Sequence, residues 1–142
     1  MQILQSVDFS YAKVQLLDLG IVRLQIFGKL EIGENESREM NNAIGLLSGG
    51  KEVLVLIMAE EITQFNKGAM MFSASEEGLR FTKADALVVK SIAQKITANF
   101  YLLVNAPKKP SRIFNSESEA IEWLLSLSNT QGIPQEVLNR YL

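Results

Sequence analysis

The sequence contains no cysteine and no histidine. Without cysteine there is no disulfide, no thiolate nucleophile and no sulfur ligand for a metal. Without histidine the commonest general base, the commonest metal ligand and the side chain that titrates near neutrality are all missing. Long apolar runs are missing too: the longest, Val53 to Ala59, spans seven residues where a membrane-crossing helix needs about twenty. Neither charge sign dominates. Fourteen Lys and Arg stand against sixteen Asp and Glu, a net of −2 that gives no reason to expect nucleic acid. Residues 1–8 carry no basic leader before an apolar stretch and no small-residue cleavage site, so a cytoplasmic location is expected.

What is present is a globular balance, with 47% apolar and 21% charged residues over 142 positions. That length suits one domain that buries enough surface to need no disulfide or metal. Tyr11 to Leu17 alternates Ala12, Val14 and Leu16 against Lys13 and Gln15, and Ile21 to Phe27 alternates likewise. Joined at Asp18-Leu19-Gly20, the two runs read as an antiparallel hairpin, with Lys13 suited to an exposed edge. Met40, Ala43, Ile44 and Leu47 then fall at helical spacing, with Asn35 as the expected N-cap and Gly49-Gly50 as the stop. Glu52 to Met58 is apolar on both faces, as in a central strand covered by helices. Phe65, Ala69 and Phe72 mark a second helix closed by Gly78, and Ala84 to Val89 another buried strand. Ser91-x-x-Gln94 and Ser116-x-x-Glu119 are capping boxes. They open a third helix with Ile92, Ile96, Phe100 and Leu103 inward, ended by Pro107 and Pro110, and a fourth with Ala120, Trp123, Leu124 and Leu127 inward. Ser111 to Asn115 is a short last strand between them. Residues 128–142 form a tail in which 135–142 can add a short helix. The expected fold is a single α/β domain with a mixed sheet of about five strands, an N-terminal antiparallel hairpin followed by β-α units, and about four helices.

Candidate chemistry is sparse. Gly45 to Lys51 satisfies the G-x-x-x-x-G-K spacing of a phosphate-binding loop, but a helix precedes it and a strand follows, the reverse of the working order. Glu52 stands where a magnesium-binding Ser or Thr belongs, so a glycine helix stop is the reading. Glu60 and Glu61 lie just past the carboxyl end of the central strand, where open α/β sheets place ligands. Met58, Phe65, Met70, Met71 and Phe72 gather near the second helix as core, or as the lining of an apolar pocket. From Arg80 to Arg112 seven basic residues face Asp85 alone, a net of +6 where the rest of the chain carries −8. Lys108, Lys109 and Arg112 cluster there, as an ordinary solvated face or as a docking face for an acidic partner. No metal site and no cofactor are expected.

The order of elements, the strand Val53 to Met58 followed by a helix, and the ending Arg112 to Leu124 with its Phe114, Ala120, Trp123 and Leu124 resemble the STAS-like superfamily over roughly residues 10 to 127. That superfamily includes anti-sigma-factor antagonists. In the antagonists a phosphorylatable Ser precedes a glycine at the start of the helix after the central strand. Aligning that glycine with Gly68 puts Phe65, Asn66 and Lys67 on the other positions, so both serines are missing and the phosphorylation switch is not carried over. The resemblance implies a non-enzymatic regulatory or protein-interaction domain whose partner-facing surface includes Asn66, Lys67, Gly68, Glu60 and Glu61. A protein partner, a homodimer included, is the expected consequence. A second branch of the superfamily binds lipids between a helix and the sheet, and implies instead the binding or sensing of a small apolar or amphipathic ligand.

Overall fold

The computed structural model describes residues 1–28, 31–105 and 108–128, together with 136, 139 and 140. The chain opens with β1 (Ile3–Asp8), which pairs antiparallel with β2 (Ala12–Leu17), and β2 pairs antiparallel with β3 (Ile21–Ile26). The expected hairpin is therefore two strands of a three-stranded meander. Gly20 closes its second turn at φ +74, a left-handed backbone that costs glycine nothing sterically. β1 is exposed along most of its length, so no clean apolar alternation marks it in the sequence. It forms the sheet edge in place of β2, whose Lys13 still faces solvent.

β4 (Glu31–Ile32) leads into α1 (Glu34–Leu47), which buries Met40, Ala43 and Ile44. The helix starts earlier than Asn35 implies: Gly33 is the N-cap, and its N–H donates to Glu36 Oε1 at 2.7 Å. Gly49 and Gly50 end it at φ +67 and +79. The Gly45-to-Lys51 segment is thus a helix end, with Gly45 buried so close to Phe81 that a Cβ would lie 2.5 Å from the ring. β5 (Val53–Ala59) runs parallel to β3, and β6 (Gln64–Phe65) pairs with β4 in a separate two-stranded sheet. α2 (Lys67–Ala74) follows, then β7 (Thr82–Val88), α3 (Ile92–Asn105), β8 (Ser111–Phe114) and α4 (Glu117–Leu127). The main sheet has order β1-β2-β3-β5-β7-β8, six strands where about five were expected, parallel from β3 onward. Pro107 and most of the expected 135–142 helix lie outside the described residues.

Two cores flank this sheet. Val14, Val22, Leu24, Val55 and Ala59 meet α1 and α2 on one face; Leu54, Leu56, Ala84 and Ala86 meet α4 on the other. α4 buries Ala120, Ile121, Leu124 and Leu125, while Leu127 is exposed, which corrects its expected inward place. Trp123 is only half-buried, at the rim of the α4 core, with its ring 5.6 Å from that of Phe114. α3 departs most from the expectation. Ile92, Ile96, Phe100 and Leu103 all face outward, between 57% and 81% exposed, and the helix buries Ala98 and Tyr101 instead. Gln94 explains the rotation. Its Nε2 donates to the Glu60 carbonyl at 2.7 Å, and its Oε1 accepts from the Lys90 N–H at 2.8 Å, tying the first turn to the end of β5. Ser91 Oγ caps that turn by accepting from the Gln94 N–H at 3.1 Å.

Candidate functional site

Because α3 turns small and polar side chains toward the sheet, it cannot fill the space between itself and α2. A cavity of about 330 Å³ results, at the carboxyl ends of the parallel strands β5 and β7. This is the end at which open α/β sheets receive ligands. Ala69, Met70 and Ser73 of α2 form one wall, and Thr97, Ala98 and Tyr101 of α3 the other. Ile57 and Leu87 form the floor, while Phe65, Glu61 and Thr63 come from the segment between β5 and α2. That segment is held in place at its α2 end. The Asn66 N–H donates to the Ile32 carbonyl at 3.0 Å, and Asn66 Oδ1 accepts from the Ala69 N–H at 3.0 Å as the cap of α2.

Two polar groups close to the cavity stand out. Asp85, on β7, is buried beneath it and accepts a hydrogen bond from the Ser111 hydroxyl, its register partner on β8. Among the described residues no Lys or Arg forms an ion pair with this carboxylate. Burial pushes its pKa up to about 6, against the opposing effect of the Ser111 hydrogen bond. Burial, with the Asp85 charge nearby, also pushes the Tyr101 phenol up. The second group is the Thr63 hydroxyl, on a residue only 3% exposed, which has no hydrogen-bond partner among the described residues. An unmade hydrogen bond of this kind is normally avoided in a folded interior.

The sequence-predicted residues divide around this cavity. Phe65 and Met70 line it, as does Glu61. Met58 does not, because strand alternation sends it to the α4 face, opposite Ile57. Phe72 is buried between α2 and α1 beneath the Arg38 guanidinium, which lies 4.8 Å from its ring, and Met71 is exposed. Of the expected partner-facing set, Lys67 and Glu60 are exposed, whereas Asn66 is committed to capping and Gly68 lies half-buried against Asn66 and Glu34. The basic cluster is partly neutralised. Lys109 pairs with Glu52 at 2.9 Å, the Arg112 guanidinium lies 5.2 Å from the Phe114 ring, and Lys108 is exposed. Asp85, Thr63 and Tyr101 were missed, although a lone Asp inside the apolar run Ala84 to Val89 was a visible signal. Among the described residues no group of three acidic side chains is placed to hold a metal ion, and no helix is long and apolar enough to cross a membrane.

A family model described as Domain of unknown function (DUF7793) matches residues 15–128. No curated protein matches the sequence. Among solved structures, the chain is similar to a protein of unknown function from Arthrobacter sp. FB24, determined by crystallography at 2.20 Å. The two are 23% identical over 81% of this chain and 99% of that one, with a TM-score of 0.29.

Proposed function

The chain belongs to the family described as Domain of unknown function (DUF7793), and we propose that it is a binding module for one small, mostly apolar molecule held between α2, α3 and the sheet. The observation that carries this reading is the cavity of about 330 Å³. Its volume lies at the lower end of the roughly 300–1,000 Å³ range of ligand sites, and its walls are apolar with a few polar groups, the composition such sites have. The binding step is non-covalent: apolar walls supply affinity and the polar groups set orientation.

A second reading, a regulatory protein-interaction domain of STAS-like type, has one observation in its favour. Ile92, Ile96, Phe100 and Leu103 form an exposed apolar stripe along α3, larger than scattered surface residues ordinarily make.

Native mass spectrometry of protein purified from its own host separates the two. The ligand reading predicts a discrete mass increment that is lost on denaturation and absent from Ala98→Trp, which fills the cavity. An unadorned polypeptide mass in both proteins contradicts it. A dimer or mixed complex that Phe100→Asp dissociates, without any small-molecule increment, supports the second reading instead.

A further inference from the structure

A binding cavity alone leaves the chemistry of its occupant open, but its charged wall narrows that chemistry. The wall contains Asp85 beneath the cavity and Glu61 beside it, and among the described residues no Lys or Arg lines it. Asp85 is the informative one. The only hydrogen-bond partner of its carboxylate among the described residues is the neutral Ser111 hydroxyl, and a neutral Asn would accept that same bond. A purely structural role therefore gives no reason for a full negative charge at this buried position, where an unpaired ion is strongly disfavoured. Phe65 and Tyr101 add aromatic surface to the same space, and aromatic faces attract cations.

Resting on the ligand-binding reading above, we propose that the occupant is a cationic amphiphile: an apolar or aromatic body carrying a primary or secondary ammonium group that pairs with Asp85. The ammonium N–H groups donate to the free lone pairs of the Asp85 carboxylate. The body lies between Met70 on α2 and Ala98 on α3. An anionic ligand of the same size is rejected, because it would meet two carboxylates and no cation in this wall.

The test uses three probes that share one ring system and differ in head-group charge: 1-naphthylmethylamine, 1-naphthalenemethanol and 1-naphthoate. Each is titrated calorimetrically at pH 7.5 into the wild-type domain, Asp85→Asn and Ala98→Trp. The expected order on the wild type is amine at least tenfold tighter than alcohol, with naphthoate weakest. Asp85→Asn should bring amine and alcohol to within about twofold, and Ala98→Trp should abolish both. Circular dichroism and thermal melting confirm that each variant is folded. If amine and alcohol bind the wild type equally, and both are lost in Ala98→Trp, the cavity binds ligands but the charge inference is wrong. If the amine preference persists undiminished in Asp85→Asn, Asp85 is not its source and the proposal fails. If no probe saturates below about 10 mM, the fragment-level affinity expected for a body of this size is absent, and the binding reading fails together with the inference.

Discussion

Replacing Asp85 by Asn should stabilise the domain, and by an amount that depends on pH. In the folded protein the Asp85 pKa is about 6, raised from 3.8. Between these two values the folded state holds a proton that the unfolded state has released, so unfolding becomes easier as pH rises through the window. The stability contributed by the protonated form is fully present below about pH 4 and lost by about pH 6 to 7. That difference corresponds to about 3 kcal/mol. Asp85→Asn removes the ionisation while keeping an oxygen to accept from Ser111. No Lys or Arg lines the cavity to offset this, and the Tyr101 phenol is neutral throughout the range. Urea denaturation of wild type and variant at pH 4, 5, 6 and 7.5 is the assay. The variant should be more stable by about 3 kcal/mol at pH 7.5, with the gap closing toward pH 4 and the slope m unchanged. A variant that is less stable at pH 7.5, or a difference that does not vary with pH, would show that a cation already balances Asp85.

Three further substitutions probe the fold itself. Gly78→Ala should cost about 2–3 kcal/mol in urea denaturation, because a Cβ there overlaps the Phe72 carbonyl oxygen, a backbone atom with little freedom to move. Trp123→Ala should cost about 2 kcal/mol, below the 3–5 of a fully buried aromatic, since the ring is half-buried against Phe114; a loss above 4 would place it in the core. Asn66→Ala should cost about 1 kcal/mol through loss of the α2 cap, and the same melt should show whether the cavity wall loosens with it.

Elements that bury a continuous apolar face were legible. Val53 to Ala59 is apolar on both sides because α1 and α4 cover it from opposite faces, and that is visible in composition alone. The Asn66, Ser91 and Ser116 caps follow from local hydrogen bonding, which needs no tertiary information. The facing of α3 was not legible. The periodicity rule sends the most apolar stripe inward, yet Gln94 bonds to the Glu60 carbonyl, and a tertiary hydrogen bond of that kind leaves no trace in a one-dimensional pattern. The α3 wall of the cavity was lost with it, since Ala93, Thr97 and Ala98 are small or polar residues that the rule assigns to solvent, whereas Phe65 and Met70 on the other side were among the expected pocket residues. Met58 shows the same limit at shorter range. It lies one residue from Ile57, but the period of two puts the pair on opposite sheet faces.

The most direct measurement is an NMR titration of the uniformly ¹⁵N-labelled domain with neutral 1-naphthalenemethanol, which asks only whether the cavity takes an apolar body. Saturable amide shifts confined to Thr63, Met70, Thr97 and Tyr101, the residues around the cavity, are the predicted result. Shifts confined to Ile96, Phe100 and Leu103 on the outer face of α3, or none up to about 10 mM, would contradict it.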